Sequence, residues 1–278
     1  MRNRDFFRTC IEQCLTYKRW SIEPICRRMK KAILSDIHGN LEALRAVLHD
    51  IFEREIEEII ILGDVVGYGA DPIACLNLIY ENASIIVLGN HDLAAATGEG
   101  DETFHPDAKA SIGWTKMVLS QQDKKTLMQF PLVQESGQMH FSHGSPENIT
   151  LWKYIFTEFD AKKGFTACGQ KLIFVGHSHT PAIFIEQEHK RMFGGEFRKV
   201  TRIVQPFVRI ENDYRYIFDV GSVGQPRDGD PRACYGIYDK DGRRYELVRV
   251  TYNVQGAADK IIKSGLPVNL AERLKRGR

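Results

Sequence analysis

Short apolar runs alternate with amphipathic segments over residues 32–88. Three of the runs, at residues 32–35, 58–62 and 84–88, have the length and aliphatic content of buried strands. Between them, apolar side chains recur at helical spacing over residues 41–51 and 73–79, which predicts two helices. Strands that alternate with helices favour an α/β fold with right-handed crossovers between neighbouring parallel strands.

The remainder of the chain is richer in predicted strands. Residues 106–130 have the pattern of two helices that end before Pro131. Seven later runs predict strands, at residues 138–142, 171–175, 182–187, 198–204, 214–220, 233–238 and 244–250. Gly194 and Gly195 predict a hairpin turn, and residues 254–264 and 270–278 predict two closing helices. We therefore expect one domain over residues 29–278, with a second, more antiparallel sheet from its C-terminal half.

The start of the chain differs from the rest in charge. Residues 1–31 contain nine Lys and Arg residues against three acidic residues, whereas the rest of the chain contains 29 basic and 33 acidic residues. A basic arm of this kind can contact nucleic acid or a membrane surface. Alternatively, the natural start is Met29, just before the first predicted strand. On either interpretation we expect the basic arm, residues 1–28, to be peripheral to function.

Composition disfavours several classes of protein. No apolar run approaches the roughly 20 residues of a membrane helix, and no apolar stretch near the N-terminus resembles a secretory signal. The six cysteines include no Cys-x-x-Cys pair, and Cys75 and Cys234 lie in patterns that suit buried free thiols. We therefore expect a cytoplasmic protein that does not bind membranes. The acidic body of the chain also disfavours extended binding to nucleic acid.

Five of the predicted strands are each followed by a cluster of polar residues. In chain order the clusters contain Asp36, His38 and Asn40, then Asp64, then Asn90, His91 and Asp92, then His143, and finally His177 and His179. Ligands of open α/β sheets gather beyond the carboxyl ends of the strands, so the clusters can converge although they are far apart in sequence. Carboxylates, imidazoles and an amide, without a thiolate, suit divalent metals such as manganese, iron or zinc.

Each cluster taken alone also has an ordinary structural interpretation. An Asp-x-His or Gly-Asp pair is common in turns, and Asn and Asp frequently cap helices. His140 is a competing candidate for the ligand at His143, and we favour His143 because the predicted strand ends there. Five such clusters in this order, each at the end of a strand, favour a shared metal site over five unrelated turns.

Residues 36–181 with these clusters resemble the calcineurin-like metallophosphoesterase family. The run Gly-Ser-Val-Gly-Gln-Pro-Arg-Asp-Gly-Asp-Pro at residues 221–231 is similar to bacterial phosphodiesterases and diadenosine-polyphosphate hydrolases of that family. The resemblance implies a two-sheet β-sandwich flanked by helices, with the metal site at the C-terminal ends of the strands. It also implies two groups of metal ligands, Asp36, His38 and His179 in one and Asn90, His143 and His177 in the other, bridged by Asp64.

The chemistry of the residues agrees with that implication. Two cations about 3.5–4 Å apart need a shared anionic ligand, and Asp64 on a tight turn can serve. Water between the cations would lose a proton near neutral pH and attack phosphorus. His91 resembles the family histidine that protonates the leaving oxygen, and Asp92 would either orient its ring or cap a helix.

The residues that would bind the rest of the substrate are less clearly marked. The protein phosphatases of the family have phosphate-binding arginines where this chain has Tyr68 and Leu93, which weakens a phosphoprotein-phosphatase interpretation. Asn40 would bind phosphate or cap the helix that follows. Tyr68 would bind or stack on substrate, or pack under its turn. Arg227 would grip a distal phosphate, or pair with Asp228 or Asp230.

We therefore expect a metal-dependent hydrolase of a small phosphorylated substrate, such as a small nucleotide or a phosphodiester. Phosphomonoester or phosphoprotein hydrolysis is the alternative within the family. A non-catalytic scaffold is a third possibility, but a scaffold has no need for all seven ligand positions together with His91. A homo-oligomer is compatible with the sequence.

Overall fold

A computed structural model of the protein describes residues 30–190 and 196–278. The strands in these ranges are β1 (Lys30–Leu34), β2 (Glu58–Ile61), β3 (Ile85–Ile86), β4 (Val133–Ser136), β5 (Met139–Ser142), β6 (Leu172–Val175), β7 (Ala182–Lys190), β8 (Glu196–Ile203), β9 (Phe207–Arg209), β10 (Tyr214–Asp219), β11 (Ala233–Asp239) and β12 (Arg244–Val250). The helices are α1 (Leu41–Glu53), α2 (Pro72–Asn82), α3 (Asn90–Thr97), α4 (Pro106–Val118), α5 (Gln121–Leu127), α6 (Glu158–Ala167), α7 (Val254–Lys263) and α8 (Val268–Arg276).

The strands form two mixed sheets of six strands each. The first sheet has the order β3-β2-β1-β11-β12-β9, and the second has the order β4-β5-β6-β10-β7-β8. In the first sheet β1, β2 and β3 are parallel, and in the second sheet β5, β6 and β10 are parallel. The predicted α/β class with two sheets and flanking helices is therefore confirmed.

One part of the predicted topology is wrong. The second sheet does come from the later part of the chain, residues 133–219, but β9, β11 and β12 extend the first sheet instead of joining it. Each sheet has three antiparallel and two parallel pairings, so the second sheet is not the more antiparallel one. β11 pairs antiparallel with β1, from Lys30 opposite Asp239 to Ile33 opposite Gly236. This pairing makes β1 an interior strand, so its backbone hydrogen-bonding groups are satisfied on both edges.

Both faces of the first parallel strands are buried, which explains their continuous apolar sequences. Ile33 and Ile60 face the second sheet and pack in one cluster with Phe174 and Phe218. The neighbouring residues on these strands point to the opposite face, where they pack against apolar side chains of α1 and α2. On the outer face of the second sheet, Phe165 of α6 packs in another core cluster.

The sequence pattern missed several short elements. Helix α6 is only weakly amphipathic, but it begins with a capping box in which Thr157 and Asp160 satisfy each other's backbone N–H groups. Helix α3 begins directly at the polar cluster of Asn90, His91 and Asp92, and strand β4 is a mostly exposed edge strand. The predicted strand at residues 84–88 pairs only through Ile85 and Ile86. The basic arm and the predicted turn at Gly194 and Gly195 lie outside the described residues.

The structure also bears on the expectations about membrane helices and cysteines. Over residues 30–190 and 196–278, no helix has the length and hydrophobicity needed to span a bilayer. Cys75 and Cys234 are buried free thiols, as predicted, and Cys168 is a third.

Candidate metal centre

The loops that follow the strands are hydrogen-bonded to one another. Backbone N–H groups of Asp36 and His38 donate to carbonyl oxygens of Gly63 and Asp64, at 3.1 and 2.9 Å. The N–H of Gly176 donates to the carbonyl of His143 at 2.9 Å in the second sheet. The five predicted polar clusters are therefore brought to one edge of the two sheets, as the sequence predicted.

The backbone at this edge is unusual. Five of the seven predicted ligands have positive φ angles between 50° and 68°, namely Asp36, His38, Asp64, His177 and His179. Residues other than Gly uncommonly adopt this left-handed region, although Asp and His do so more often than most, and the cost is of order 1–3 kcal/mol per residue. The hydrogen bonds between the loops stabilise this unfavourable backbone conformation. In this conformation the side chains point to a common centre.

The aimed side chains form two groups of polar atoms. In the first group, Nε2 of His179 lies 3.2 Å from Nε2 of His38 and 3.2 Å from Oδ1 of Asp36. In the second group, Nε2 of His143 lies 3.1 Å from Oδ1 of Asn90 and 3.1 Å from Nδ1 of His177.

Asp64 lies between the two groups. Its Oδ2 is 3.7 Å from Nε2 of His38 and 3.3 Å from Nε2 of His143. A single carboxylate oxygen therefore faces both groups of ligand atoms, which is the position expected of a shared ligand.

Backbone carbonyls fix the orientation of three imidazoles. Nδ1 of His38 is 3.1 Å from the carbonyl oxygen of Val66, and Nδ1 of His143 is 2.7 Å from that of Leu62. Nδ1 of His179 is 2.6 Å from the carbonyl oxygen of Gln225. A carbonyl only accepts hydrogen bonds, so Nδ1 carries the proton and Nε2 is directed to the centre as a potential ligand.

Two buried carboxylate oxygens at the centre have no hydrogen-bond donor. Asp36 uses Oδ2 to accept from the N–H of His177 at 2.9 Å, and Asp64 uses Oδ1 to accept from the N–H of His91 at 2.8 Å. The other oxygens, Oδ1 of Asp36 and Oδ2 of Asp64, are fully buried, and while the imidazoles around them are neutral neither oxygen has a hydrogen-bond donor among the described residues. A buried carboxylate oxygen without a donor is costly, and a cation among these atoms would remove that cost. The donor set therefore fits divalent metal ions, and the same groups are geometrically able to hold one.

The electrostatics of the centre favour bound positive charge. Burial opposes ionisation of Asp36 and Asp64, but the neighbouring imidazoles outweigh burial and hold the pKa of both carboxyls below the usual range. Burial also opposes charge on His143, yet Asp64 and Asp36 raise its pKa to about 10. The centre therefore binds positive charge strongly, as a proton on His143 or as a metal cation in its place.

Two other imidazoles of the centre are neutral in the neutral pH range. Burial and the charge of His143 lower the pKa of His177 to about 3. Burial and the guanidinium of Arg227 lower the pKa of His179 to about 4. Neutral imidazoles are the form that coordinates metals, so no proton has to leave these two rings before binding.

His91 lies beside this centre. Its ring centroid is 4.9 Å from that of His38 and 4.6 Å from those of both Tyr68 and Phe104. Its Nδ1 is buried and has no hydrogen-bond partner among the described residues. Burial lowers the pKa of His91 although Asp64 opposes that shift.

The structure corrects the expectation that Asp92 orients the ring of His91. Oδ1 of Asp92 accepts from the N–H of Val66 at 3.0 Å, and Oδ2 accepts from the N–H of Gly89 at 3.2 Å. Both oxygens therefore join the loop after β2 to the start of α3. Burial and the charge of Asp64 raise the pKa of Asp92 to about 7. Asp92 is a cap, which was the alternative interpretation of its sequence.

Asn40 is also used structurally. Its Oδ1 accepts from the N–H of Ala43 at 3.1 Å and caps α1. Its Nδ2 donates to the carbonyl of Gly224 at 2.8 Å and to the hydroxyl of Tyr252 at 3.3 Å. Both amide hydrogens are used, so the expectation that Asn40 donates to a phosphate is not supported by this arrangement.

Tyr68 and Arg227 meet next to the histidines. The Tyr68 ring is 4.6 Å from that of His38, and Nη2 of Arg227 donates to the Tyr68 hydroxyl at 3.2 Å. The alternative partners of Arg227 are used elsewhere, because Asp228 pairs with Arg249 and Asp230 pairs with Arg232. No ion pair of Arg227 occurs within the described ranges. Its guanidinium is held by the Gln225 side chain at 2.8 Å instead.

Sequence reasoning missed an aromatic segment beside His143 and His177. The Tyr154 ring stacks on the His177 ring at 4.1 Å with an interplanar angle of 6°, and the Phe156 ring stacks on Tyr154 at 5.2 Å. Trp152 contacts His143 edge-on at 5.8 Å. Tyr154 and Phe156 remain 44% and 49% exposed, so this column of rings is open to solvent. The signal was present in the sequence, as aromatic residues at alternate positions in the loop after His143.

Comparisons with known proteins agree with this geometry. Residues 29–243 match the family model described as "Calcineurin-like phosphoesterase superfamily domain". The chain is 39% identical to an uncharacterized protein of Methanocaldococcus jannaschii, over 89% of this chain and 98% of that protein. The crystal structure of a metallophosphoesterase from Sphaerobacter thermophilus is similar with a TM-score of 0.76 and 34% identity, covering 91% of this chain and 100% of that one. A hypothetical protein from Pyrococcus horikoshii shares the fold, with a TM-score of 0.71 at 19% identity and coverage of 90% and 98%.

Proposed function

The chain belongs to the calcineurin-like phosphoesterase superfamily, and from this premise we propose that it is a two-metal hydrolase of small nucleotides or phosphodiesters. Membership of the superfamily makes the chain a hydrolase that acts on phosphoester bonds. The number of metals, the residues that hold them and the substrate are our proposal, which includes phosphoanhydrides among the bonds cleaved.

One observation carries the proposal. Imidazole nitrogens that cannot all be protonated converge with two buried carboxylate oxygens, for which neutral imidazoles leave no donor in the part of the chain that the structure describes. One divalent ion would be held by Asp36, His38 and His179, and a second by Asn90, His143 and His177, with Asp64 shared. Manganese, iron and zinc suit this nitrogen and oxygen donor set. When bound, the two cations would polarise the phosphoryl oxygens and lower the pKa of water enough for it to attack phosphorus.

His91 is our candidate for the group that protonates the leaving oxygen. It lies next to Asp64 in space, and its Nδ1 is not committed to any hydrogen bond in the described structure. Phe104 and Tyr68 hold the ring in place on either side, so the imidazole is oriented by packing instead of by a carboxylate. A positioned imidazole that transfers a proton typically contributes 10²–10⁴-fold to the rate.

Arg227 and the exposed aromatic column would bind different parts of the substrate. Arg227 presents a guanidinium without a carboxylate partner, which suits a phosphate beyond the one that is cleaved. The column of His177, Tyr154 and Phe156 presents a flat apolar surface, which suits a nucleobase or another aromatic group. A nucleoside polyphosphate offers both features. Phosphoserine and phosphothreonine offer neither a second phosphate nor a planar ring, and phosphotyrosine offers only the ring.

A substrate panel tests the proposal. The full chain, loaded with manganese, would be assayed on aryl phosphomonoesters, aryl phosphodiesters, cyclic nucleotides and dinucleoside polyphosphates. We expect hydrolysis that disappears with a chelator and returns with metal, and a preference for nucleotides or diesters. Strongest activity on phosphomonoesters would favour the phosphatase alternative. No metal-dependent hydrolysis of any member would contradict the proposal.

A further inference from the structure

A second cluster of metal-ligand side chains lies outside the centre described above. It comprises Glu135 of β4, His140 of β5 and Cys168, the residue that ends α6. One ligand atom from each of the three lies within 4.8 Å of the other two. Glu135 and His140 are directly opposite each other in the β4–β5 hairpin, while Cys168 comes from a distant part of the chain. None of the three has a role in the proposed hydrolysis.

The hydrogen bonds of His140 leave one ring nitrogen facing an acceptor. When the Ser142 hydroxyl donates its single proton to the carbonyl of Gly144, which is 2.9 Å away, it accepts from Nε2 of His140 at 3.2 Å. A neutral imidazole with its proton on Nε2 has a lone pair on Nδ1. That nitrogen lies 3.3 Å from Oε1 of Glu135, an oxygen that also only accepts. Burial lowers the pKa of His140 and thereby favours the neutral ring.

In this tautomer, Nδ1 of His140 and Oε1 of Glu135 are facing acceptors, which repel each other unless a cation lies between them. The 3.3 Å separation is close to that of two ligands each about 2.1 Å from one tetrahedral ion. Cys168 adds a buried sulfur, and its thiol proton would be released to solvent when the thiolate binds metal. The Glu135 side chain is 51% exposed, which gives an ion access from solvent.

We propose that Glu135, His140 and Cys168 form a separate site for one zinc-class divalent ion. Sulfur, nitrogen and oxygen ligands together select zinc over magnesium or calcium, and three protein ligands leave one position for water. The ion would join the end of α6 to the hairpin whose strand β5 leads into His143. This proposal does not depend on the proposed function, because it involves other residues and a different type of ligand.

Cobalt absorption on the full chain tests the site. The catalytic centre contains no thiolate, so a sulfur-to-cobalt charge-transfer band in the near ultraviolet reports a cysteine ligand alone. We expect the band in the wild-type chain and in Asp64→Asn, and its loss in Cys168→Ser. Glu135→Gln, at an exposed position that leaves folding intact, should weaken cobalt binding by about tenfold or more.

Other cysteines provide the controls. Cys234→Ser, which changes a buried thiol outside the cluster, and the combined replacement of Cys10, Cys14 and Cys26 by Ser should both retain the band. The proposal would be overturned by the absence of the band in the wild-type chain, or by its survival in Cys168→Ser. Unchanged cobalt affinity in Glu135→Gln would also overturn it. Glu135 and His140 would then be no more than a hydrogen-bonded cross-strand pair.

Discussion

The N–H of His91 donates to Oδ1 of Asp64 at 2.8 Å, while Oδ2 of the same carboxylate faces the histidines of both ligand groups. One side chain thus positions the proposed proton donor and occupies the proposed bridging position. The two functions use different oxygens, so they can be separated by a substitution that keeps the shape of the side chain.

Asp64→Asn is expected to abolish metal-dependent hydrolysis. The amide oxygen can still accept from His91, but the bridging negative charge is lost and the repulsion between two cations is no longer offset. Elemental analysis should show fewer than two metals per chain in addition to any at the Cys168 site. Asp213→Asn, on an exposed turn, is the matched control and should retain both the metal content and the hydrolytic activity of the wild-type chain. Normal metal content and turnover in Asp64→Asn would exclude the bridging role.

His91→Ala is expected to retain its metals and to lose about 100-fold or more in turnover, because the leaving oxygen is no longer protonated. Substrates with good leaving groups need little protonation and should lose least. The rate should be measured over a series of aryl leaving groups of different acidity. His105→Ala, which removes a 70% exposed histidine, is the control. An equal loss across the series would argue against proton transfer by His91.

Arg227→Lys should raise KM for a dinucleoside polyphosphate much more than for a small aryl ester. A guanidinium binds phosphate oxygens through two parallel hydrogen bonds, and an ammonium cannot reproduce that geometry. Arg232→Lys is a suitable control, since Arg232 lies on the same loop but is paired with Asp230 at 2.6 Å. If KM changes in parallel for both substrates, Arg227 shapes the loop and does not bind a distal phosphate.

Phe156→Ala should raise KM for a nucleotide by about 5- to 150-fold, since stacking of a base on an aromatic side chain is worth about 1–3 kcal/mol. It should leave the hydrolysis of inorganic tripolyphosphate, which has no base, unchanged. Phe159→Ala provides a close comparison, because Phe159 is also exposed but packs under Lys163 outside the column. Equal effects of the two variants would mean that the column does not contact the base.

Much of the fold could be predicted because its signals are local. The apolar run at Ile59–Ile61, for example, is buried on both faces and therefore lacks polar positions. The end of β5 before His143 was predictable because Gly144, Ser145 and Pro146 follow, and it separates His143 from His140. The pairing of β11 with β1 was not predictable, because antiparallel register depends on contacts across two hundred residues.

In the candidate site, too, some features could be predicted from local sequence and others depend on distant contacts. The polar clusters are continuous in sequence, so their positions after strands could be predicted. The hydrogen-bond partners of Asp92 and Asn40 could not be predicted, because the same residue at the start of a helix can either cap the helix or face the substrate. The stacking of Tyr154 on His177 depends on the path of an irregular loop in which Asn148 and Trp152 have positive φ.

A final prediction concerns Asp219, which is buried behind the loop that carries His177 and His179. Its Oδ2 lies 2.6 Å from the hydroxyl of Ser178, and its Oδ1 accepts from the N–H of Gly221 at 3.1 Å. The Ser178 hydroxyl also lies 3.0 Å from the carbonyl oxygen of Thr180. If Ser178 donates to that carbonyl, a protonated Asp219 can donate to Ser178 in turn. Burial raises the pKa of Asp219 well above its usual value, in keeping with this arrangement.

The pH dependence follows from the direction of that shift. The unfolded carboxyl loses its proton near pH 4, whereas the native carboxyl retains it to higher pH. Unfolding therefore releases a proton in this interval, and the stability that Asp219 contributes falls as pH rises, by up to about 1.4 kcal/mol per pH unit. Asp219→Asn can make the same hydrogen bonds without titrating. In a chelator, its free energy of unfolding relative to wild type should therefore increase from pH 5 to pH 8 in denaturant titrations. The same difference at both pH values would mean that native Asp219 ionises as the unfolded chain does.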